Sequence, residues 1–369
     1  MKNSWKNRNK SVNLMDFESL AQGRLSEPIW NYFASGANDE ITLRNNRNAF
    51  SRIDLYYKVL VGASERSLQT KILDQEISIP ILIAPSAFHK LAHPDGELAT
   101  ACAAGAQGTI MILSTLSTTP VEEVVATASG PIWFQLYIYR DRAFTKALVE
   151  RVEAAGCSAL VLTVDTPMIG CRKRDIGSAA DLFAGLQLEH VFAASAYNTN
   201  DRTRDKNMPE HFASLFDPSI TWKDVEWLRS LTELPVLVKG IIRADDARQA
   251  VNSGASGIIV SNHGGRQLDT APATIDALPA IVESVGGSVD ILLDGGVLRG
   301  TDVIKALAFG AQAVLIGRPV LWGLAVGGAE GVECVLEILH DEVDLAMALC
   351  GCSTIADING DLLRPTKSL

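Results

Sequence analysis

The chain has 369 residues with a net charge of -10, 47% hydrophobic and 21% charged residues. This hydrophobic content is typical of a globular protein with a sizeable core, so a mostly disordered chain is excluded. The acidic balance argues against nucleic acid or an anionic membrane as a partner, because polyanions are usually bound by a clustered basic face. A small anionic substrate needs only a few local cations.

Eight short apolar stretches along the chain predict eight strands, at residues 81–84, 109–113, 132–135, 160–164, 236–239, 257–261, 291–294 and 313–317. Helix-like segments lie between most of them, at residues 95–107, 120–128, 141–155, 244–253, 273–283 and 301–309. This alternation indicates right-handed parallel crossovers. Because the strands are apolar on both faces, they favour a closed (β/α)8 TIM barrel, with an open doubly wound sheet as the alternative.

We expect a single domain over residues 1–369, with its barrel core at about residues 77–330. A helical extension precedes the barrel, and Pro28 suits the first turn of one of its helices. The longest interval between strands predicts an insertion after the fourth strand, at about residues 174–220, which would act as a lid. Residues 330–348 predict a closing amphipathic helix.

The cysteines and the two termini bear on compartment. The six cysteines show no Cys-x-x-Cys spacing, so we expect free thiols in a reducing compartment and no metal site. The first 13 residues are polar and basic, with no apolar signal segment behind them. Residues 367–369, Lys-Ser-Leu, permute the peroxisomal Ser-Lys-Leu address without matching it. We therefore expect a cytoplasmic protein that binds no membrane.

Polar and glycine residues cluster at the carboxyl ends of the predicted strands. In strand order they are Pro85, Ser86 and Ala87; Ser114; Gln135 and Tyr137; Thr163 and Asp165; Lys239; Ser261, His263 and Arg266; Asp294, Gly295 and Gly296; and Gly317 and Arg318. In a closed barrel all these strand ends share one face, and that face carries the active site.

The last two sets suit a phosphate group. Glycines let backbone N–H groups approach an anion closely, and Arg318 adds a planar charged fork. Loops after strands seven and eight are the usual phosphate site of such barrels. The chain has no Gly-x-Gly-x-x-Gly or Walker pattern, so a monophosphate cofactor is favoured over a dinucleotide or ATP.

His263 is the candidate base, because histidine is matched to proton transfer near neutral pH. Asp165 would orient its ring, and Arg172 with Arg266 would clamp a carboxylate. Taken singly, the histidine could be a turn residue, the aspartate a cap and the arginines a solvated face. The convergence of eight strand ends favours the functional interpretation.

Residues 261–269, Ser-Asn-His-Gly-Gly-Arg-Gln-Leu-Asp, resemble the signature of the FMN-dependent L-2-hydroxy acid oxidase and dehydrogenase family. Tyr-Phe-Ala-Ser-Gly-Ala (32–37), Phe-Gln-Leu-Tyr (134–137), Leu-Thr-Val-Asp-Thr-Pro (162–167) and Ile-Gly-Arg-Pro (316–319) are similar in the same way. The likeness covers about residues 17–355. It implies FMN as cofactor and oxidation of a small (S)-2-hydroxy acid to the 2-oxo acid, with O2 reduced to H2O2.

The resemblance implies that His263 is the base, that Asp165 is its charged partner and that Tyr137 binds the reacting oxygen. It implies a carboxylate site made of Tyr32, Arg172 and Arg266. Hydride and proton loss from C2 both remain open, since they need the same residues. The implied FMN site comprises Pro85, Ser86, Ala87, Ser114, Gln135, Thr163 and Lys239 around the ring, and Ser261, Asp294, Gly295, Gly296, Gly317 and Arg318 toward the phosphate.

Two positions depart from the family pattern. Leu116 stands where glycolate oxidases usually have Trp and bacterial lactate oxidases usually have Tyr. The Ser-Thr-Leu-Ser stretch at residues 114–117 resembles instead the cyanobacterial lactate-oxidising branch. The smaller side chain leaves room for a methyl group and favours L-lactate over glycolate by about 1–3 kcal/mol. Leu298 replaces an expected phosphate-binding arginine, and Arg299 would point elsewhere. We therefore expect weaker FMN retention, mainly through Arg318 and backbone.

Three alternatives remain. The same half-reaction could serve a dehydrogenase with a quinone or cytochrome acceptor, and a monooxygenase would decarboxylate the 2-oxo acid. A non-enzymatic flavin-binding scaffold is the third. Since members of this family commonly form tetramers or octamers, we expect a homo-oligomer.

Overall fold

The computed structural model describes residues 13–175, 190 and 214–365. Three helices precede the barrel: α1 (Leu14–Arg24), α2 (Glu27–Ala34) and α3 (Ile41–Ala49). Helix α2 has Pro28 in its first turn, as predicted. Most of the lid predicted at about residues 174–220 lies outside the described residues.

Short strands connect these helices to the barrel. Strand β1 (Ile53–Leu55) is followed by a hairpin of β2 (Thr70–Ile72) and β3 (Gln75–Ile77). The hairpin is not among the predicted elements. Ile72 and Ile77 are buried against side chains of the barrel interior, so the hairpin covers the amino-terminal end of the barrel.

Eight parallel strands close into a barrel, which confirms the predicted fold over the open sheet. Strand β11 pairs with β4 through Val314 and Ile81, which completes the ring. All eight predicted strands form, and nearly all of their residues are buried. The strands are β4 (Ile81–Ile83), β5 (Met111–Leu113), β6 (Ile132–Leu136), β7 (Leu160–Thr163), β8 (Val236–Ile241), β9 (Gly257–Val260), β10 (Asp290–Leu293) and β11 (Ala313–Ile316).

Helices surround the barrel, and each of the six predicted crossover helices forms. They are α4 (Gly96–Ala106), α5 (Val121–Thr127), α6 (Arg142–Ala154), α8 (Ala244–Asn252), α9 (Thr274–Val285) and α10 (Gly300–Ala308), with α7 (Trp222–Arg229), which was not predicted, preceding β8.

The closing helix is longer than the predicted 330–348. Helix α11 spans Arg318–Cys350, and its backbone leaves helical geometry at Gly327 and Gly328. Two adjacent glycines permit this kink, so the prediction covers only the part of the helix after it. By length and composition α11 could cross a membrane, but 67% of its most apolar window is buried within the fold. The last strand, β12 (Leu363–Pro365), pairs with β1.

Candidate active site

A cavity lies at the carboxyl ends of the barrel strands and brings most of the predicted site residues together. Asp165 and Ser261 do not line it, but each is hydrogen-bonded to a residue that does. The predicted residues on its wall are Tyr32, Pro85, Ser86, Ala87, Ser114, Leu116, Gln135, Tyr137, Thr163, Arg172, Lys239, His263, Arg266, Asp294, Gly295, Gly296, Gly317 and Arg318.

Helix α3 contributes a wall that was not predicted. Leu43, Asn46 and Arg47 line the cavity. The amide groups of Asn46 and Asn262 donate to each other at 2.8 Å in both directions, which fixes α3 to the loop after β9. A search for polar residues at the carboxyl ends of the strands could not identify these residues, because they precede the barrel in sequence.

His263 and Asp165 form the charged pair expected at the site. His263 Nδ1 lies 2.9 Å from Asp165 Oδ1, and Thr166 Oγ1 donates to the same carboxylate at 3.2 Å. Since a carboxylate only accepts, the imidazole proton belongs on Nδ1 and Nε2 is left as the basic nitrogen. His263 has φ 57°, an uncommon backbone conformation for histidine, and its N–H donates to Ser261 Oγ at 3.1 Å.

The surroundings set the protonation of this pair. Burial lowers the pKa of His263 and outweighs the raising effect of Asp165, so the imidazole is neutral near pH 7. Burial alone would raise the pKa of Asp165, but the charge and hydrogen bond of His263, together with Lys239, keep it below its usual value. The pair therefore consists of a neutral base and a carboxylate.

Tyr137 is held beside the pair as a hydrogen-bond donor. Its ring packs on Phe216 with centroids 4.5 Å apart. Burial, reinforced by the negative charge of Asp165, raises the pKa of its hydroxyl. The phenol therefore stays protonated and can donate to a substrate oxygen.

Two of the cavity arginines converge on one backbone segment. Arg266 Nη1 donates to the carbonyl of Ser35 at 2.8 Å, and its guanidinium lies 5.3 Å from the centre of the Tyr32 ring. Arg318 donates to the carbonyls of Phe33, Ser35 and Gly264 at 2.9–3.1 Å. Arg172 also lines the cavity. These charges suit a ligand that carries anionic groups.

Other residues of the wall fit FMN. Gln135 Nε2 and Asp294 Oδ1 are buried and have no hydrogen-bond partner among the described residues, which leaves a donor and an acceptor for a ligand. At Gly296, with φ 90°, a Cβ would collide with the backbone oxygen of Asn46, so only glycine lets α3 pack this closely against the wall.

Lys239 is the buried cation of this wall. Its Nζ lies 3.0 Å from Asp294 Oδ2 and 2.9 Å from Ser261 Oγ. Burial would lower its pKa, but Asp294 and Asp165 outweigh that effect and raise it. Lys239 therefore stays charged and can stabilise negative charge on a bound ring.

The loop that carries Leu116 is tightly fixed. Leu116 N–H donates to Ser114 Oγ at 3.1 Å, and its carbonyl accepts from Phe88 N–H at 3.2 Å. Farther along the loop, Thr118 donates from its backbone N–H and its hydroxyl to the buried carboxylate of Glu97 on α4, at 2.9 and 2.7 Å. Leu116 is therefore part of a preorganised wall.

The second departure from the family pattern is also on the wall. Leu298 lines the cavity with an apolar side chain. Arg299 points elsewhere, as expected, because its Nη1 lies 2.9 Å from Glu342 Oε1 on α11. Arg299 therefore does not replace the missing arginine.

Comparison with known proteins gives consistent matches. The model of the FMN-dependent dehydrogenase family matches residues 21–365. The chain is 53% identical to an L-lactate oxidase of Nostoc sp. (strain PCC 7120 / SAG 25.82 / UTEX 2576) over 96% of this chain and 98% of that protein. It is 51% identical to glycolate oxidase 3 of Oryza sativa subsp. indica, over 94% of each. The structure of mandelate oxidase with (S)-4-hydroxymandelic acid superposes with a TM-score of 0.87 at 40% identity, over 96% of this chain and 98% of that one.

Proposed function

Because the chain belongs to the FMN-dependent dehydrogenase family, we propose that it is an (S)-2-hydroxy acid oxidase that prefers L-lactate to glycolate and passes electrons to O2. FMN is its cofactor. The observation that carries the proposal is the 2.9 Å pair of His263 and Asp165 beside a cavity lined by Arg172 and Arg266. Such a site combines a base with cations for a substrate carboxylate.

The substrate carboxylate binds Arg172, Arg266 and Tyr32, and a guanidinium fork suits both of its oxygens. This anchoring places the 2-hydroxyl near Tyr137 and His263, which line the same cavity. Holding the reacting groups in one orientation removes much of the entropic barrier.

His263 accepts a proton through Nε2, and Asp165 stabilises the imidazolium that results. The proton comes from the hydroxyl if C2–H leaves as hydride, or from C2 itself; either way the histidine must start neutral. When bound, FMN supplies the two-electron acceptor. Lys239 would stabilise negative charge on the reduced flavin.

Leu116 supports lactate as the preferred substrate. It lines the cavity at a fixed position, and an apolar side chain there can pack on a substrate methyl group. Glycolate has no such group, so it loses the contact. The identities of 53% to a lactate oxidase and 51% to a glycolate oxidase are too close to decide between them, and the proposal depends on this wall.

We further propose a cytoplasmic homo-oligomer, a tetramer or octamer, that binds neither a membrane nor nucleic acid. Support for self-association comes from Tyr56, Tyr57, Val59 and Leu60, four hydrophobic residues within five consecutive positions that are each at least 62% exposed. Patches of this kind often mark protein interfaces. Light scattering on the purified protein tests the oligomeric state, and a monomer would contradict it.

Oxygen uptake tests the function directly. With L-lactate, glycolate and D-lactate as substrates, we expect the highest kcat/KM for L-lactate and one H2O2 formed with each pyruvate. Pyruvate formed only with a quinone or cytochrome acceptor would indicate the dehydrogenase, and acetate without peroxide the monooxygenase. The His263→Ala variant should bind FMN without turning over, and unchanged turnover would exclude the mechanism.

A further inference from the structure

One end of the cavity is formed by Gly295, Gly296, Leu298, Gly317 and Arg318, and we call it the phosphate end. A phosphate monoester carries a charge of about −1.5 to −2 at neutral pH. Leu298 contributes no charge. Arg318 supplies one positive charge but donates three of its five N–H groups to backbone carbonyls. A second cation is needed to balance the phosphate.

Arg47 of helix α3 lies against this end. It lines the same cavity, and its backbone packs so closely on Gly296 that a Cβ there would lie 3.0 Å from the Arg47 nitrogen. The pKa of Arg318 is lowered to about 9, first by burial, then by the charge of Arg266 and then by the charge of Arg47. Both arginines line the same cavity, so their like charges repel, and an anion bound near both relieves that repulsion.

Two neighbours hold the Arg47 guanidinium in place. Nη2 lies 2.8 Å from Glu18 Oε1, and Nη1 lies 3.3 Å from Oε2. The guanidinium carbon lies 5.9 Å from the centre of the Trp322 ring. Glu18 occupies two of the five N–H groups, which leaves three for another acceptor.

Trp322 gives an independent indication of a ligand at this wall. Its side chain is 1% exposed and lines the cavity. Its indole N–H is buried and has no hydrogen-bond partner within residues 13–175, 190 and 214–365. A buried donor of this kind costs free energy unless an acceptor satisfies it, and a phosphate oxygen is such an acceptor.

We propose that Arg47, held over Trp322 by Glu18, is the second phosphate-binding cation of this chain and compensates in part for the arginine that is missing at position 298. The inference depends on FMN lying with its phosphate toward the loops after β10 and β11. It assigns a cofactor-binding role to a helix outside the barrel.

The test compares FMN with riboflavin, which differ only in the phosphate. Flavin-fluorescence titration of the FMN-stripped protein gives both dissociation constants for the unmodified chain and for Arg47→Gln, Arg318→Gln and Glu18→Gln. We expect Arg47→Gln to weaken FMN binding about 10-fold or more, the usual effect of losing a charge-assisted hydrogen bond, with riboflavin binding unchanged. Arg318→Gln should behave in the same way.

Other outcomes separate the alternatives. An equal loss of both ligands in Arg47→Gln would mean that the residue only supports the fold, and the proposal would be wrong. If Arg318→Gln weakens FMN binding and Arg47→Gln does not, the role of Arg47 is wrong, but the phosphate still lies at the end of the cavity that carries Arg318. No effect in either variant overturns both.

Glu18→Gln keeps the proposal testable if Arg47→Gln does not fold. The Gln side chain keeps an oxygen that can accept a hydrogen bond from the Arg47 guanidinium but carries no negative charge. Arg47 therefore stays in place with its charge unopposed, and FMN should bind more tightly relative to riboflavin. An unchanged or weaker preference for FMN over riboflavin would contradict the proposal.

Discussion

His263 and Asp165 are 98 residues apart in sequence, yet His263 Nδ1 lies 2.9 Å from Asp165 Oδ1. The loops after β9 and β7 carry them, so the curvature of the barrel produces the pair. Because the carboxylate raises the pKa of His263 against the larger effect of burial, it also sets the pH range in which the histidine is neutral.

Asp165→Asn should therefore change both the rate and its pH dependence. Loss of the carboxylate removes an interaction that raises the pKa of His263, so the acidic limb of kcat/KM should move to lower pH. The limb of the unmodified enzyme should lie below the ordinary histidine value of 6.5. We expect kcat to fall about 10²- to 10⁴-fold, because the imidazolium loses its partner. A limb that moves to higher pH would contradict this assignment.

Lys239→Met should destabilise the protein through Asp294. The two side chains are 5% and 9% exposed and lie 3.0 Å apart, so the substitution leaves a buried carboxylate without its cation. We expect a loss of about 3–5 kcal/mol in the free energy of unfolding, measured by urea denaturation of FMN-free protein. The double variant Lys239→Met/Asp294→Asn is the control and should recover part of the loss. If it is no more stable than the single variant, the pair is not coupled.

Leu116→Trp should shift the substrate preference toward glycolate. The larger ring fills the space proposed for the lactate methyl group, so kcat/KM for L-lactate should fall about 10-fold relative to glycolate. Leu116→Met, with a similar volume, should leave the ratio nearly unchanged. If Leu116→Trp changes kcat/KM for L-lactate and for glycolate by the same factor, as Leu116→Met should, then this wall does not select between the two substrates.

Leu298→Arg should tighten FMN binding. An added guanidinium at the phosphate end is expected to lower the dissociation constant about 10-fold, while Leu298→Met serves as an uncharged control. Fluorescence titration measures both. Equal or tighter binding by the unmodified chain would mean that the cations already present saturate the phosphate.

The barrel and most of its site could be predicted because both follow from local pattern. Strands buried on both faces are continuous apolar stretches, and a parallel barrel places every strand end on one face. Polar residues at or directly after the carboxyl ends of the strands, such as Lys239 in β8 and Asp294 after β10, are therefore brought together there.

Other features depend on packing that no local pattern encodes. Asn46 and Arg47 reach the cavity only because α3 docks on the loop after β9. The β2–β3 hairpin turns at Leu73 and Asp74, which both have positive φ, although such turns usually carry Asn-Gly or Asp-Gly. The kink at Gly327 and Gly328 divides α11 into two helical segments, and only the second was predicted.

Absorbance of the FMN-bound protein under anaerobic conditions tests the central claim most directly. Addition of L-lactate should bleach the flavin, and admission of air should restore its colour with formation of H2O2. Glycolate should bleach it more slowly. Bleaching that air does not reverse would make the chain a dehydrogenase, and no bleaching with either acid would contradict the proposed reaction itself.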